Sequence, residues 1–224
     1  TGLDWSTAVS RESACGKSYI ASSVPTNIDS TCTNQYTHTW YPASSSAVAY
    51  YMDPRNWLNE QTIFQFEYLK YDTGLSSVYP SAANSIIDHT AFYKYHSNLG
   101  NNLGVIIDEV SKEADVNISP VSLAARILQE LGSKDSEYNL YSGIYSGFEG
   151  YYNFYNFGVT DACATSKGTT LCGLEYAKTN NWYGLHAAIR GGAIQIANSY
   201  IAKGQYTTYL QKFNVVPTNP SSIY

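Results

Sequence analysis

Residues 119–132 read S-P-V-S-L-A-A-R-I-L-Q-E-L-G, and this stretch decides the fold class. Its ends carry the signals of a helix. Ser119 suits the N-cap, Pro120 the first helical position and Gly132 the position after the last turn. Between them Leu123, Ala124, Ile127, Leu128 and Leu131 recur at the spacing of a core-facing stripe. Glu130 rides in the last turn, where a carboxyl meets the negative end of the helix macrodipole. That end favours the protonated form, and apolar neighbours add to it. A carboxylic acid that keeps its proton near neutral pH is the donor that glycosidic cleavage needs. Taken alone, such a glutamate is an ordinary residue on a solvated face, so the surrounding sequence has to supply the rest.

Outward from this helix the pattern stays mostly helical. Leu103, Ile106, Ile107, Val110 and Ala114 predict an amphipathic helix just before it. Residues 84–96 predict another, with Ile87, Ala91 and Tyr95 on one face. Asp53-Pro54 predicts a helix start, followed by Trp57, Leu58, Phe64 and Tyr68 at near-helical intervals and ended by Gly74. Residues 183–203 predict a long helix carrying Leu185, Ala188, Ile189, Ile196 and Tyr200, with Gly204 as its stop. Gly191 and Gly192 in its middle each weaken it by about 1 kcal/mol relative to Ala, a cost that close approach of another helix would explain. Residues 206–213 suit a short final helix. Between residues 137 and 160, glycines recur at 143, 147, 150 and 158 with aromatics between them, which favours a β-hairpin or loop. Residues 1–50 are rich in Ser, Thr, Asn and Tyr and predict an irregular appendage. No internal repeat and no nucleotide-binding glycine loop is present.

The chain has 224 residues, enough for one large domain or a domain with an appendage. A net charge of −5 argues against nucleic acid as a partner. It also means that an anionic partner is not captured by bulk electrostatics. Tyrosine is abundant, with 22 copies, and its flat apolar face with a hydroxyl suits sugar rings as well as structural packing. No run of apolar residues is long enough to span a membrane, so no membrane insertion is expected. The absence of an initiating Met and a secretory h-region suggests a processed piece of a longer protein. The four cysteines show no C-x-x-C spacing. Four allow three connectivities, and local spacing makes Cys15–Cys32 with Cys163–Cys172 the simplest, implying an oxidising setting. His38, His89, His96 and His186 form no ligand cluster at metal spacing, so all four read as structural, and neither metal nor cofactor is expected.

The segment after the helix, residues 141–159, reads Y-S-G-I-Y-S-G-F-E-G-Y-Y-N-F-Y-N-F-G-V. Together, L-A-A-R-I-L-Q-E-L-G and G-Y-Y-N-F-Y-N-F-G resemble the glucosaminidase domain of bacterial autolysins, glycoside hydrolase family 73. Two more blocks fit. Residues 49–67 read A-Y-Y-M-D-P-R-N-W-L-N-E-Q-T-I-F-Q-F-E. Residues 182–215 run from W-Y-G-L-H-A-A-I-R-G-G to Y-L-Q-K-F-N-V. Residues 1–50 and the cysteine-flanked insert near Cys163 lie outside the resemblance. The division it suggests is an appendage over 1–48, pinned by a disulfide, a catalytic domain over 49–216 and a frayed tail over 217–224.

The resemblance implies a lysozyme-like α+β fold, mainly helical and two-lobed, with a small β-hairpin lobe beside a groove. It implies an endo-β-N-acetylglucosaminidase acting on peptidoglycan glycan strands, secreted or wall-associated, as a monomer or as one domain of a larger secreted protein. Glu130 takes the place of the family's catalytic glutamate in the Q-E-x-G pattern. Glu149 is the leading second carboxylate, ahead of Asp135, Glu137 and Asp161. Tyr152, Tyr155 and Asn156 match the block that holds the reacting sugar or its acetamido group, and Trp182 matches a tryptophan able to stack on a sugar or fill the core. The same fold also supports muramidases and lytic transglycosylases. A wall-carbohydrate-binding domain without catalysis is the rival from another class.

Overall fold

The computed structural model describes residues 2–21, 23–33, 40–213 and 215–216, so His38 and the tail over 217–224 lie outside it. The chain divides into two compact units, residues 1–68 with 202–224, and residues 69–201.

The first unit holds α1 (Trp5–Glu12), β1 (Tyr19–Ile20), β2 (Tyr41–Pro42) and α2 (Ser45–Met52). The strands pair antiparallel, with Tyr19 opposite Pro42 and Ile20 opposite Tyr41. The expectation of an irregular appendage over residues 1–50 is thus overturned. Both helices are only eight residues long with few apolar repeats, and their starts are local: the Asp4 carboxylate accepts the Thr7 N–H at 2.9 Å, and Ser44 Oγ accepts the Ala47 N–H at 3.3 Å. Ala8, Val48 and Met52 share a small core with Phe213 and Val215. The long helix expected after Asp53-Pro54 is also absent. Asp53 does cap, accepting the Arg55 N–H, but the chain then makes two separate 3-10 turns, Pro54–Trp57 and Ile63–Phe66. Asn59 Oδ1 takes the N–H groups of Gln61 and Thr62, and Thr62 Oγ1 donates to the Trp57 carbonyl. These side chains offer the backbone local partners that compete with a helical ladder.

The second unit is an all-helical body built from α3 (Tyr79–Ile87), α4 (Ala91–Asn98), α5 (Leu103–Ser111), α6 (Pro120–Leu131), α7 (Tyr138–Ser142), α8 (Asp161–Lys167), α9 (Thr169–Thr179) and α10 (Leu185–Ser199). The chain then returns to the first unit for α11 (Thr208–Lys212). The single helix expected over 84–96 is broken in two. Thr90 Oγ1 donates to the Ile87 carbonyl at 2.6 Å and accepts the Tyr93 N–H, closing α3 and opening α4. The close packing of α5 on α3 rests on Gly104, where any side chain would collide with the Pro80 carbonyl and Asn84. Asn84 Oδ1 instead accepts the Gly104 N–H at 2.8 Å.

The central α6 matches the sequence reading closely. Leu123, Ala124, Ile127 and Leu131 are fully buried against α3 and α5. Each of the three larger side chains contributes about 1.5–3 kcal/mol by leaving water. Leu128 is only half-buried. Pro120 opens the helix and Gly132 closes it at φ +70°, its N–H returning to the Leu128 carbonyl. Ser119 stands at the N-cap position but makes no side-chain cap; its backbone N–H donates to the Leu69 carbonyl at 2.7 Å.

No hairpin forms over residues 137–160. The segment holds α7 and then a chain of turns, with one isolated bridge between Tyr151 and Tyr183. Gly143, Gly147, Gly150, Asn156 and Gly158 all have positive φ, so the extended runs that a two-stranded ladder needs are interrupted every few residues. The mainly helical α+β class stands, with the only paired strands among the described residues being β1 and β2. Both expected disulfides are formed, Cys15–Cys32 and Cys163–Cys172. Among the described residues no helix is long and apolar enough to cross a membrane.

Candidate active site

The turn-rich segment is organised by its own side chains. Asn153 is fully buried; its Nδ2 donates to the carbonyls of Phe157 at 2.8 Å and Gly173 at 2.9 Å, and its backbone N–H donates to the Leu140 carbonyl. Phe154 beside it fills the core at 0% exposure. Ahead of this knot, residues 143–150 close on themselves through a 2.8 Å bond from the Gly150 N–H to the Gly143 carbonyl. Lys178 on α9 holds the closed loop by donating to the Gly147 carbonyl at 3.1 Å, with its ammonium 5.1 Å from the centre of the Phe148 ring.

Behind the knot, Asn156 sits in the left-handed region at φ +53° and donates from Nδ2 to the backbone carbonyl of Glu130 at 2.7 Å. The carbonyls of a helix's last turn lack intrahelical partners, and this side chain supplies one. It also fixes the loop to the end of α6.

The result is a cavity of about 150 Å³ in the second unit. Arg126 and Glu130 line it from α6, Tyr155 and Phe157 from the loop, Ile196 and Ser199 from the end of α10, and Tyr200 after it. Arg126 and Glu130 are one helical turn apart and both half-buried. Tyr155 is 4% exposed, and its hydroxyl has no hydrogen-bond partner among the described residues. Burial pushes that phenol well above its ordinary range, so it stays neutral and able to donate. The cavity is smaller than the roughly 300–1,000 Å³ that encloses a whole small molecule. It suits one group of a larger substrate lying outside it.

The sequence candidates divide. Glu130, Tyr155 and Asn156 meet here. Tyr152 does not line the cavity; its ring lies 5.9 Å from His96 and 6.0 Å from Phe154, and burial raises its phenol. Trp182, at 4% exposure, is a core residue packed edge-on to Tyr176, so it offers no face to a sugar. Glu149 is exposed on the closed loop and does not line the cavity. Its carboxylate is held below the ordinary range first by its own amide and then by the Gly147 N–H, with Lys178 adding a smaller Coulombic pull. Both of its oxygens lie 3.1 Å from the Gly147 nitrogen. Asp135 accepts the Tyr141 hydroxyl, and Asp161 lies in the first turn of α8; neither lines the cavity.

Sequence reasoning missed Arg126, Phe157, Ser199 and Tyr200. For Arg126 a signal existed, because a residue four before Glu130 shares its helix face. Ser199 and Tyr200 reach the site only through tertiary packing. The two glycines of α10 also find a different explanation from the one expected. They admit aromatic rings rather than a helix: a side chain at Gly191 would strike the Trp182 indole, and one at Gly192 the Tyr155 ring.

No family model matches the chain. A bifunctional autolysin of Staphylococcus epidermidis is 26% identical over 190 residues, 82% of this chain and 13% of that protein. A beta-N-acetylglucosaminidase of Bacillus subtilis is 28% identical over 188 residues, 80% of this chain and 19% of that protein. The chain therefore spans less than a fifth of the length of either curated relative. Among solved structures, glucosaminidase B of S. aureus shares the fold at a TM-score of 0.66 and 22% identity, covering 100% of this chain and 76% of that one. Motifs, relatives and fold agree in their likeness to the glucosaminidase domains of bacterial autolysins, glycoside hydrolase family 73.

Proposed function

We propose that the domain is a peptidoglycan hydrolase, an endo-β-N-acetylglucosaminidase that cleaves the β-1,4 bond after N-acetylglucosamine, with Glu130 as general acid. The observation that carries this reading is the convergence, at one cavity, of Glu130 and the Y-N-F-G loop, bonded to each other through Asn156. Glu130 protonates the glycosidic oxygen as the bond to the anomeric carbon breaks, and the transition state gains oxocarbenium character. Tyr155 offers its hydroxyl, which has no partner among the described residues, to the acetamido group or ring of the reacting sugar. Trp182 packs at right angles to the ring of Phe157, which lines the cavity.

Glu149 is occupied by the Gly147 amide and stands outside the cavity lining. This favours the substrate's own acetamido oxygen as the group that meets the anomeric carbon, with water completing hydrolysis. Glu149 then serves the loop more than the chemistry. The two disulfides support an oxidising, extracellular setting, and the substrate reading puts the protein at the cell wall.

Digestion of purified cell walls tests the reading. The expected products carry N-acetylglucosamine at the new reducing end, identified by mass spectrometry after borohydride reduction. Reduced muramic acid identifies a muramidase, and an anhydro-muramyl end a lytic transglycosylase. Binding to walls without release of any fragment would leave a carbohydrate-binding domain.

A further inference from the structure

Trp182 suits a sugar face by sequence, but the structure turns that ring inward, at 4% exposure. The next residue turns outward. Tyr183 is 64% exposed, yet its surroundings hold it in place. The Gly184 N–H donates to the Gly150 carbonyl at 2.8 Å and the Tyr152 N–H to the Trp182 carbonyl at 3.4 Å, so backbone bonds pin the chain on both sides of it. Its ring lies against Gly150, where a Cβ would come within 2.5 Å of Cε2. Tyr151 meets it edge-on, with 5.3 Å between ring centres and 77° between planes. A fixed aromatic ring that leaves most of its surface in water is a ready contact, because little conformational entropy remains to be lost on binding. The charges nearby are already engaged by the loop. Lys178 donates to the Gly147 carbonyl and lies 5.9 Å from the centre of the Tyr151 ring, and Glu149 accepts the Gly147 N–H. A neutral ring with an apolar face and polar edges, such as a pyranose, matches this surface better than an ion does. The place of the ring suits a strand as well. The cavity takes one group of the substrate, so the rest of a glycan strand lies on the surface outside. Tyr151, bridged to Tyr183, is four residues before Tyr155, and four residues of chain span at most about 14 Å. The exposed ring therefore stands within a few sugar residues of the cavity wall.

We propose that Tyr183 is a sugar-stacking residue that holds an N-acetylhexosamine ring of the glycan strand outside the cavity, away from the bond that breaks. This rests on the glycan-strand reading of the site. The contact is made equally in ground state and transition state, so it belongs in KM rather than in kcat.

Isothermal titration tests it on the protein carrying Glu130→Gln, so that strands stay whole. The probes are a peptide-free octasaccharide of alternating N-acetylglucosamine and N-acetylmuramic acid, and the same octasaccharide bearing stem peptides. Tyr183→Ala should weaken binding of the peptide-free strand by about threefold to tenfold, the size of one aromatic contact. Tyr183→Phe and Tyr183→Trp should keep the affinity, since the ring face makes the contact. With Glu130 restored, Tyr183→Ala should raise KM on soluble strands by a similar factor and leave kcat close to that of the intact enzyme. Unchanged affinity in Tyr183→Ala overturns the proposal. So does an equal loss in Tyr183→Phe, which assigns the effect to the hydroxyl, and so does a loss confined to peptide-bearing strands, which makes the ring a peptide contact. If Tyr183→Ala fails to fold by circular dichroism, nuclear magnetic resonance on the Glu130→Gln protein decides: the Tyr183 ring protons should shift as the peptide-free octasaccharide is added, and unmoved resonances refute the contact. Walls left uncut by the intact protein while the Tyr183 dependence of binding holds would sink the hydrolase reading and leave this one standing.

Discussion

The side chain of Asn156 donates to the backbone carbonyl of Glu130 at 2.7 Å, so the loop that bears the Y-N-F-G motif is bonded to the helix residue that bears the carboxyl. Asn156 also holds a left-handed backbone at φ +53°. The two demands separate by substitution. Asn156→Gly keeps the backbone easy and loses the bond, at about 1 kcal/mol. Asn156→Ala loses the bond and adds the strain of a positive φ, about 1 kcal/mol more. Both are expected to lower kcat more than they raise KM, because the loop then positions Tyr155 less firmly. Thermal denaturation with steady-state kinetics on soluble glycan strands measures each effect.

Glu130→Gln preserves shape and removes the proton source. Turnover should fall by about 10²–10⁴-fold while wall binding and thermal stability persist. Glu149→Gln is expected to cost less than about tenfold, well short of a lost general acid or base. Paired rates for the two variants decide this. Losses of equal size would make Glu149 a direct participant and displace the acetamido group from its role.

His96 is buried, with Nε2 2.7 Å from the Tyr141 carbonyl and Nδ1 without a partner among the described residues. Tyr95, Tyr141, Tyr152 and Phe154 pack around it. Burial holds its pKa below the ordinary 6.5. The unfolded chain therefore takes up the proton first as pH falls. Stability should be full above about pH 6.5 and decline below it, until the folded imidazole itself protonates. Urea titrations between about pH 7.5 and 5 should show this slope, and His96→Gln should flatten it.

Gly192→Ala puts a methyl group into the Tyr155 ring. The ring must shift, and it lines the cavity. A loss of about 1–3 kcal/mol is expected, together with weakened activity. Gly168→Ala, strained by its φ of +85° but with nothing near its side-chain position, makes a comparison: it should lose stability without a matching loss of turnover. Melting curves beside kinetic assays on both variants separate ring displacement from general destabilisation.

Much of the helical body was readable from residues because its signals are local. Pro120, Gly132 and the Leu123–Ile127–Leu131 stripe act within one helix, so α6 came out almost to the residue. The breaks at Thr90 and Asn59 were not readable, because side chains there compete with the helix for its own bonds, and composition does not say which wins. The glycines of residues 143–158 announced turns but not their closure, since a hairpin and a self-closed loop use the same residue types. At the site, Glu130, Tyr155 and Asn156 were legible through motif resemblance. Ser199 and Tyr200 were not, because they arrive from the far end of α10 through packing alone. Trp182 shows the opposite failure: its side chain suits a sugar platform, and only the neighbouring Gly191 reveals that it has been given room inside.

In the closed loop of residues 143–150 the two ends meet at the bond between Gly150 and Gly143, Lys178 holds its middle at the Gly147 carbonyl, and the Tyr151–Tyr183 bridge follows directly after it. Ile144 is 58% exposed at its edge. A segment whose two ends are already joined passes little strain to the structure behind it, and exposed tips of this kind accept added length at small entropic cost. Here the domain has a seam at which related chains can differ in length, or at which a foreign peptide can be spliced, with the Asn153 knot shielding the cavity from the change.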